Sequence, residues 1–117
     1  MKLPYTIAEV GQAHDGSLGM LHSYIDSFAL TGINAMKFQM HYADAESSSH
    51  EPFRINFSYQ DKNRYDYWKR MEFTFEEWIG IKKHCEEKNI EFICSPFSIK
   101  AFNYLEKLGV KKYKIGS

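Results

Sequence analysis

The chain has 117 residues, 44% hydrophobic and 26% charged, with 15 Lys+Arg balanced by 15 Asp+Glu. That length suits one domain with a real core, and the zero net charge argues against the basic excess of a nucleic-acid binder. No apolar run approaches the roughly 20 residues of a membrane span, and no signal-peptide segment follows Met1.

Tyr5 to Val10 reads as a short β-run stopped by Gly11. The loop Gln12-Ala13-His14-Asp15-Gly16 then enters a helix whose apolar residues Leu18, Leu21, Ile25, Phe28 and Ala29 follow a 3.6 period. Gly32 is placed to cap it. Asn34 to Met40 is expected as a buried parallel strand, and there the period of two has a consequence. Met36, Phe38 and Met40 share one face while Lys37 and Gln39 share the other. An ammonium on the inner face of a buried strand is costly without a charged partner. Lys37 is therefore a candidate for handling an anion.

Residues 41–73 are polar and aromatic with little periodicity, and Ser47-Ser48-Ser49 and Pro52 mark loop. An insertion of this length in a domain is usually functional or disordered. Its aromatics, among them Phe53, Phe57, Tyr59, Tyr65, Tyr67 and Trp68, favour an ordered excursion. Thr74-Phe75-Glu76-Glu77 is a capping box, opening a helix with Trp78, Ile81 and Cys85 inward. Ile90 to Ser95 is a third strand ended by Pro96. Ser98 caps a helix carrying Ala101, Phe102, Leu105 and Leu108, closed by Gly109. Val110 to Ser117 is expected as a fourth strand, with Tyr113 and Ile115 on one face and Lys112 and Lys114 on the other.

Strand–helix alternation implies a parallel sheet, either doubly wound or a barrel. Ending on a fourth strand would leave a bare sheet edge. The expected fold is thus α/β: the first half of a (β/α)8 TIM barrel, four strands with connecting helices, truncated. In such barrels active residues gather at the C-terminal strand ends. The polar residues there are Glu9, Lys37, Gln39, Ser95, Lys114 and Ser117. Lysines supply point charges and hydroxyls supply directional donors, which suits a phosphate plus a carboxylate. Glu9 can pair a lysine or act as a general base; a purely structural Glu9–Lys37 ion pair is the plainer alternative. His14, beside Asp15, is a base or metal-ligand candidate, although a lone loop histidine is more often exposed or a capping partner. The other histidines, His22, His41, His50 and His84, show no ligand spacing, and neither do Cys85 and Cys94, which suit reduced core thiols of a cytoplasmic protein.

Ile7-Ala8-Glu9-Val10-Gly11, Met36-Lys37-Phe38-Gln39, Cys94-Ser95-Pro96-Phe97 and Tyr113-Lys114-Ile115-Gly116-Ser117 occur in the order and spacing of the sialic acid synthase family, which the whole chain resembles. The resemblance implies condensation of phosphoenolpyruvate with an N-acetylmannosamine-type sugar, releasing phosphate. It implies that Lys37, Ser95, Lys114 and Ser117 hold phosphoenolpyruvate, that Gln39 touches the acceptor sugar and that Glu9 lies beside the reacting centre. It further implies a divalent manganese or magnesium ion with ligands outside this chain, an antifreeze-like domain also outside it, and a homodimer. The small-molecule substrates are the expected partners, without nucleic acid or membrane, and the isolated chain is expected to be inactive. Ala13 stands before His14 where that family usually has asparagine, and no asparagine near Tyr59 matches the family's acceptor-binding one, so the acceptor stays open. Two other readings remain: a non-catalytic α/β module that binds an anion through Lys37 and Lys114, and a phosphoenolpyruvate-dependent deoxy-ulosonate synthase. The latter would want more phosphate-binding arginines than Arg54, Arg64 and Arg70.

Overall fold

Alternating apolar residues build three strands whose helix-facing sides merge into one core. The computed structural model describes residues 2–46 and 61–116. In chain order it places β1 (Ile7–Gly11), α1 (Leu18–Ala29), β2 (Ala35–Met40), α2 (Ala43–Glu46), α3 (Arg64–Met71), α4 (Phe75–Glu87), β3 (Glu91–Pro96) and α5 (Ile99–Leu108). The strands form a parallel sheet in the order β1-β2-β3, and helices fill both connections, since parallel neighbours need a crossover.

Met36, Phe38 and Met40 of β2 and Phe92 and Cys94 of β3 pack against Leu21 and Ile25 of α1, Trp78, Ile81 and Cys85 of α4, and Ala101 and Leu105 of α5. Phe38 stacks on Phe92 at 5.2 Å and meets the edge of Trp78 at 6.2 Å. All three long helices thus cover one face of the sheet. A doubly wound sheet would carry helices on both. The other face bears Glu9, Lys37, Gln39, Ile93 and Ser95, by strand alternation and register. Both cysteines are buried and free.

The helix ends follow the sequence signals. Thr74 accepts from the Glu77 backbone N–H and the Glu77 carboxylate accepts from the Thr74 N–H, a complete capping box. Ser98 accepts from Ala101 N–H, and Gly109 ends α5 in the left-handed region at φ 73°. The close of α1 differs from expectation: Leu30 is its C-cap, and Gly32 lies beyond it in the turn at φ +75°.

Two further expectations need correction. Within residues 41–73, where no periodicity was expected to give regular structure, α2 and α3 form; α3 is capped by the Asn63 side chain on Asp66 N–H. Only Met71 of α3 is buried, so its apolar stripe is too thin to register as a 3.6 period. Expectations for Ser47 to Ser49, Pro52, Phe53, Phe57 and Tyr59 fall outside the described residues. The fourth strand contracts to one parallel bridge, Tyr113 to Cys94, with Lys114 N–H donating to the Cys94 carbonyl at 3.2 Å. Lys111, Lys112 and Lys114 are exposed, so the segment gains little from burial.

Candidate functional site

On the face away from the helices, Glu9 and Lys37 are register partners on β1 and β2. Lys37 Nζ lies 2.7 Å from Glu9 Oε2, with the Lys37 side chain largely covered and that of Glu9 about half open, 24% and 47% exposed. The strand therefore carries its ammonium as one half of an ion pair whose two members both stay partly open to solvent. Pairing does not exhaust either group, since an exposed carboxylate edge and the remaining N–H donors of the ammonium stay available to a ligand.

Just past Glu9 the β1–β2 register slips, so that Gly11 rather than Val10 pairs with Phe38. Gly11 takes φ +54°, a conformation open to glycine at little cost. A Cβ built there would stand 3.5 Å from Glu9 Oε1 and 3.6 Å from Gln39 Nε2. The bulge thus sets the bare Gly11 backbone between the Glu9 carboxylate and the Gln39 amide.

One layer toward the C-terminal ends, Gln39 and Ser95 are register partners on β2 and β3; Ser95 is buried. Glu9, Lys37, Gln39 and Ser95 therefore share one sheet face in two adjacent layers. Lys114 follows Tyr113, which packs on Phe102 of α5, so alternation sets Lys114 on the same face as Ser95, at the edge of the sheet. The bridge puts Tyr113 on the register of Cys94, and the Lys114 ammonium donates to the Ile115 carbonyl at 2.7 Å, exposed to solvent. Its neighbour Lys112 reaches Glu91 Oε2 at 3.2 Å, and Glu91 is the register partner of Ala35 on the Lys37 face. Ser117 lies outside the described residues.

His14 is buried rather than exposed, at 1%. Its Nδ1 accepts from Gly16 N–H at 2.9 Å, and its ring packs on Phe73 at 4.8 Å. It serves the turn as an acceptor. Burial is the main reason its pKa falls to about 4, with the His41 and Arg70 charges acting in the same direction and Asp15 opposing them. The turn is clamped from outside by Arg70 of α3, whose guanidinium donates to Asp15 Oδ1 at 2.7 Å and to Asp61 at 2.8 Å.

His41 is the residue that spacing alone missed. It is buried between Trp68 and Phe97, with ring centroids 3.9 Å and 4.2 Å away. Its Nδ1 meets the Glu46 carboxylate at 2.9 Å and its Nε2 meets Gln39 Oε1 at 2.9 Å. A signal was present: the period of two that puts Lys37 and Gln39 on one face reaches His41 next. His22 and His84 contact each other through Nδ1 at 2.7 Å, with Asp26 on His84 Nε2, but they join α1 to α4 on the helix layer. Among the described residues, no group of three or more His, Cys, Asp or Glu could hold a metal ion, and no helix is long and apolar enough to cross a membrane.

A model of the NeuB family matches residues 24–117. The N,N'-diacetyllegionaminic acid synthase of Campylobacter jejuni is 27% identical over 120 residues, covering 100% of this chain and 36% of the relative. The N-acetylneuraminate-9-phosphate synthase of Drosophila melanogaster is 28% identical, covering 97% of this chain and 31% of its own length. Among solved structures, the N-acetylneuraminic acid (sialic acid) synthetase of Leptospira borgpetersenii, in complex with citrate, superposes with a TM-score of 0.75 at 29% identity, over 97% of this chain and 36% of that one. The chain thus spans about a third of the length of these relatives.

Proposed function

The chain belongs to the NeuB family, and from that premise we propose that it supplies the first part of the catalytic barrel of a sialic-type acid synthase. Its relatives' names are those of synthases of sialic and legionaminic acids, and its three-stranded parallel sheet matches the N-terminal part of such an enzyme. The proposed reaction joins the C3 carbon of phosphoenolpyruvate to the aldehyde carbon of N-acetylmannosamine or a related amino sugar. Water then adds at the former enol carbon, and phosphate leaves.

The observation that carries this reading is the Glu9–Lys37 pair beside Gln39 and Ser95 on the open face of the sheet. Phosphoenolpyruvate brings a phosphate and a carboxylate, and cationic groups fixed beside them offset charge in the ground and transition states. Lys37 would take that role with the Ser95 hydroxyl as a directional donor, joined by Lys114 and Ser117. Glu9, released from Lys37 by the incoming anion, would orient the attacking water or accept its proton. Gln39 would contact the acceptor sugar.

The described residues form no metal-ligand set. In this proposal the divalent manganese or magnesium ion, like the homodimer partner and the antifreeze-like domain, lies outside the chain's own contribution. The test is titration of phosphoenolpyruvate into this chain and into Lys37→Met, with phosphate release assayed separately in the presence of manganese and N-acetylmannosamine. Saturable binding that Lys37→Met abolishes, without turnover, is the expected result. Equal binding by both proteins would overturn the role of Lys37, and turnover by this chain alone would show that the catalytic groups have been misassigned.

A further inference from the structure

Gln39 has an amide with two chemically different ends, and the structure holds each end against a different neighbour. Its Oε1 lies 2.9 Å from His41 Nε2. Its Nε2 lies on the other side, 3.6 Å from the Cβ position on Gly11, where Glu9 Oε1 stands at 3.5 Å. A free glutamine amide rotates between two nearly isosteric orientations, so a site that needs a donor at this point must fix the rotation.

The means of fixing it are at hand. The Glu46 carboxylate is an acceptor only, and it receives both His41 Nδ1–H at 2.9 Å and the Tyr42 backbone N–H at 2.9 Å. Both ring nitrogens of His41 face oxygen atoms, so this orientation of the Gln39 amide requires the ring to donate at each. The ring cannot swing away, because Trp68 and Phe97 stack on its two faces with interplanar angles of 15° and 21°.

We propose that Glu46 and His41 are positioning residues that orient the Gln39 amide, so that its NH2 end is presented beside Glu9 as a fixed donor to an oxygen of the acceptor sugar. This rests on the reading of Gln39 as the sugar contact. It also gives α2 and α3 a purpose: Glu46 and Trp68, which they carry, support the site through His41 and Gln39.

Two readouts on the intact chain test this separately. Nitrogen-15 NMR reads the His41 ring and the Gln39 side-chain amide without any ligand. The expected result is both His41 nitrogens in the protonated range and a Gln39 NH2 pair shifted from free glutamine. In Glu46→Gln and His41→Phe the Gln39 pair should move to free-glutamine positions, whereas Glu46→Asp should retain part of the shift. A neutral His41 ring, or Gln39 signals unmoved by either variant, would overturn the proposal. Titration with N-acetylmannosamine gives the second readout. Affinity should fall about tenfold in Glu46→Gln, the size of one oriented hydrogen bond, with phosphoenolpyruvate affinity unchanged. Equal loss for both ligands would overturn a specific positioning role, pointing to general loosening. If the Gln39 signals respond as expected but no protein binds the sugar, the positioning stands and the assignment of Gln39 to the sugar fails.

Discussion

Glu9 and Lys37 are register partners across β1 and β2 and also the two halves of an ion pair, 2.7 Å apart. The pairing reconciles a charged residue in mid-strand with a fold that buries its neighbours Met36 and Phe38 completely. It also defines what an anionic ligand must compete with. A partly exposed pair contributes little stability, since solvent screens it.

Removing that pair should therefore leave the fold nearly unchanged. Lys37→Met, Glu9→Gln and the double variant should each shift urea-unfolding stability by less than about 1 kcal/mol, with a coupling energy of roughly 0.2–1 kcal/mol. A loss several times larger would show that the pair is a structural necessity and would weaken its reading as a ligand site.

Helix α4 offers the opposite case, in which stability is the whole role. Trp78 is 1% exposed and touches Phe38, Phe73 and Phe92 by edge contacts, so Trp78→Ala should cost about 3–5 kcal/mol. Thr74→Ala, which removes one half of the capping box, should cost about 1 kcal/mol. Chemical denaturation of the three proteins checks the order; a Trp78→Ala loss no larger than that of Thr74→Ala would place the core elsewhere.

Sequence made these two residues legible because their signals are local. Thr74 and Glu77 are three apart, and Trp78, Ile81 and Cys85 repeat on one helical stripe. The face shared by Lys37 and Gln39 likewise followed from strand alternation. The role of His41 was obscured because its stacking partners, Trp68 and Phe97, come from a later helix and from the turn after β3. The burial of His14 was hidden for the same reason, as Phe73 and Arg70 approach it from distant chain. The Val110–Ser117 segment has the alternation of a strand, but alternation supplies no hydrogen-bonding neighbour, and only the Cys94 bridge forms among the described residues.

The burial of His14 predicts a pH dependence. Its folded-state pKa is lowered to about 4 from the usual 6.5, chiefly by desolvation. Above pH 6.5 the ring is neutral in both states. As the pH falls from 6.5 toward 4, the unfolded chain takes up the proton and the folded one does not, so stability is lost across that window. The loss should reach roughly 3 kcal/mol at the acid end. His14→Gln lacks this titration, so the difference between wild type and variant, measured by urea unfolding at pH 7, 5.5 and 4.5, isolates it from the carboxylates. A difference that stays constant over that range would show that the folded His14 accepts its proton normally.

Gly11 and Gly16 both adopt positive φ, yet their surroundings predict different outcomes for the same substitution. At Gly16, φ is +80° and a Cβ would lie 2.4 Å from the Arg70 carbonyl oxygen, a backbone atom that cannot turn aside. Gly16→Ala must then push the loop away from α3, breaking the approach that lets Arg70 hold Asp15. The strained φ and the overpacking together should cost about 2–4 kcal/mol. At Gly11 the added methyl meets Glu9 Oε1 and Gln39 Nε2 at 3.5 Å and 3.6 Å, ordinary contact distances, so only the backbone term remains, about 1–2 kcal/mol. That methyl would nonetheless occupy the space between the carboxylate and the amide. Under the proposed assignment of Gln39 to the acceptor sugar, Gly11→Ala should keep the fold while weakening N-acetylmannosamine binding, and Gly16→Ala should do its damage through the fold. Thermal unfolding alongside sugar titration separates the two; comparable destabilisation by both would mean that the Gly16 loop yields without disturbing α3.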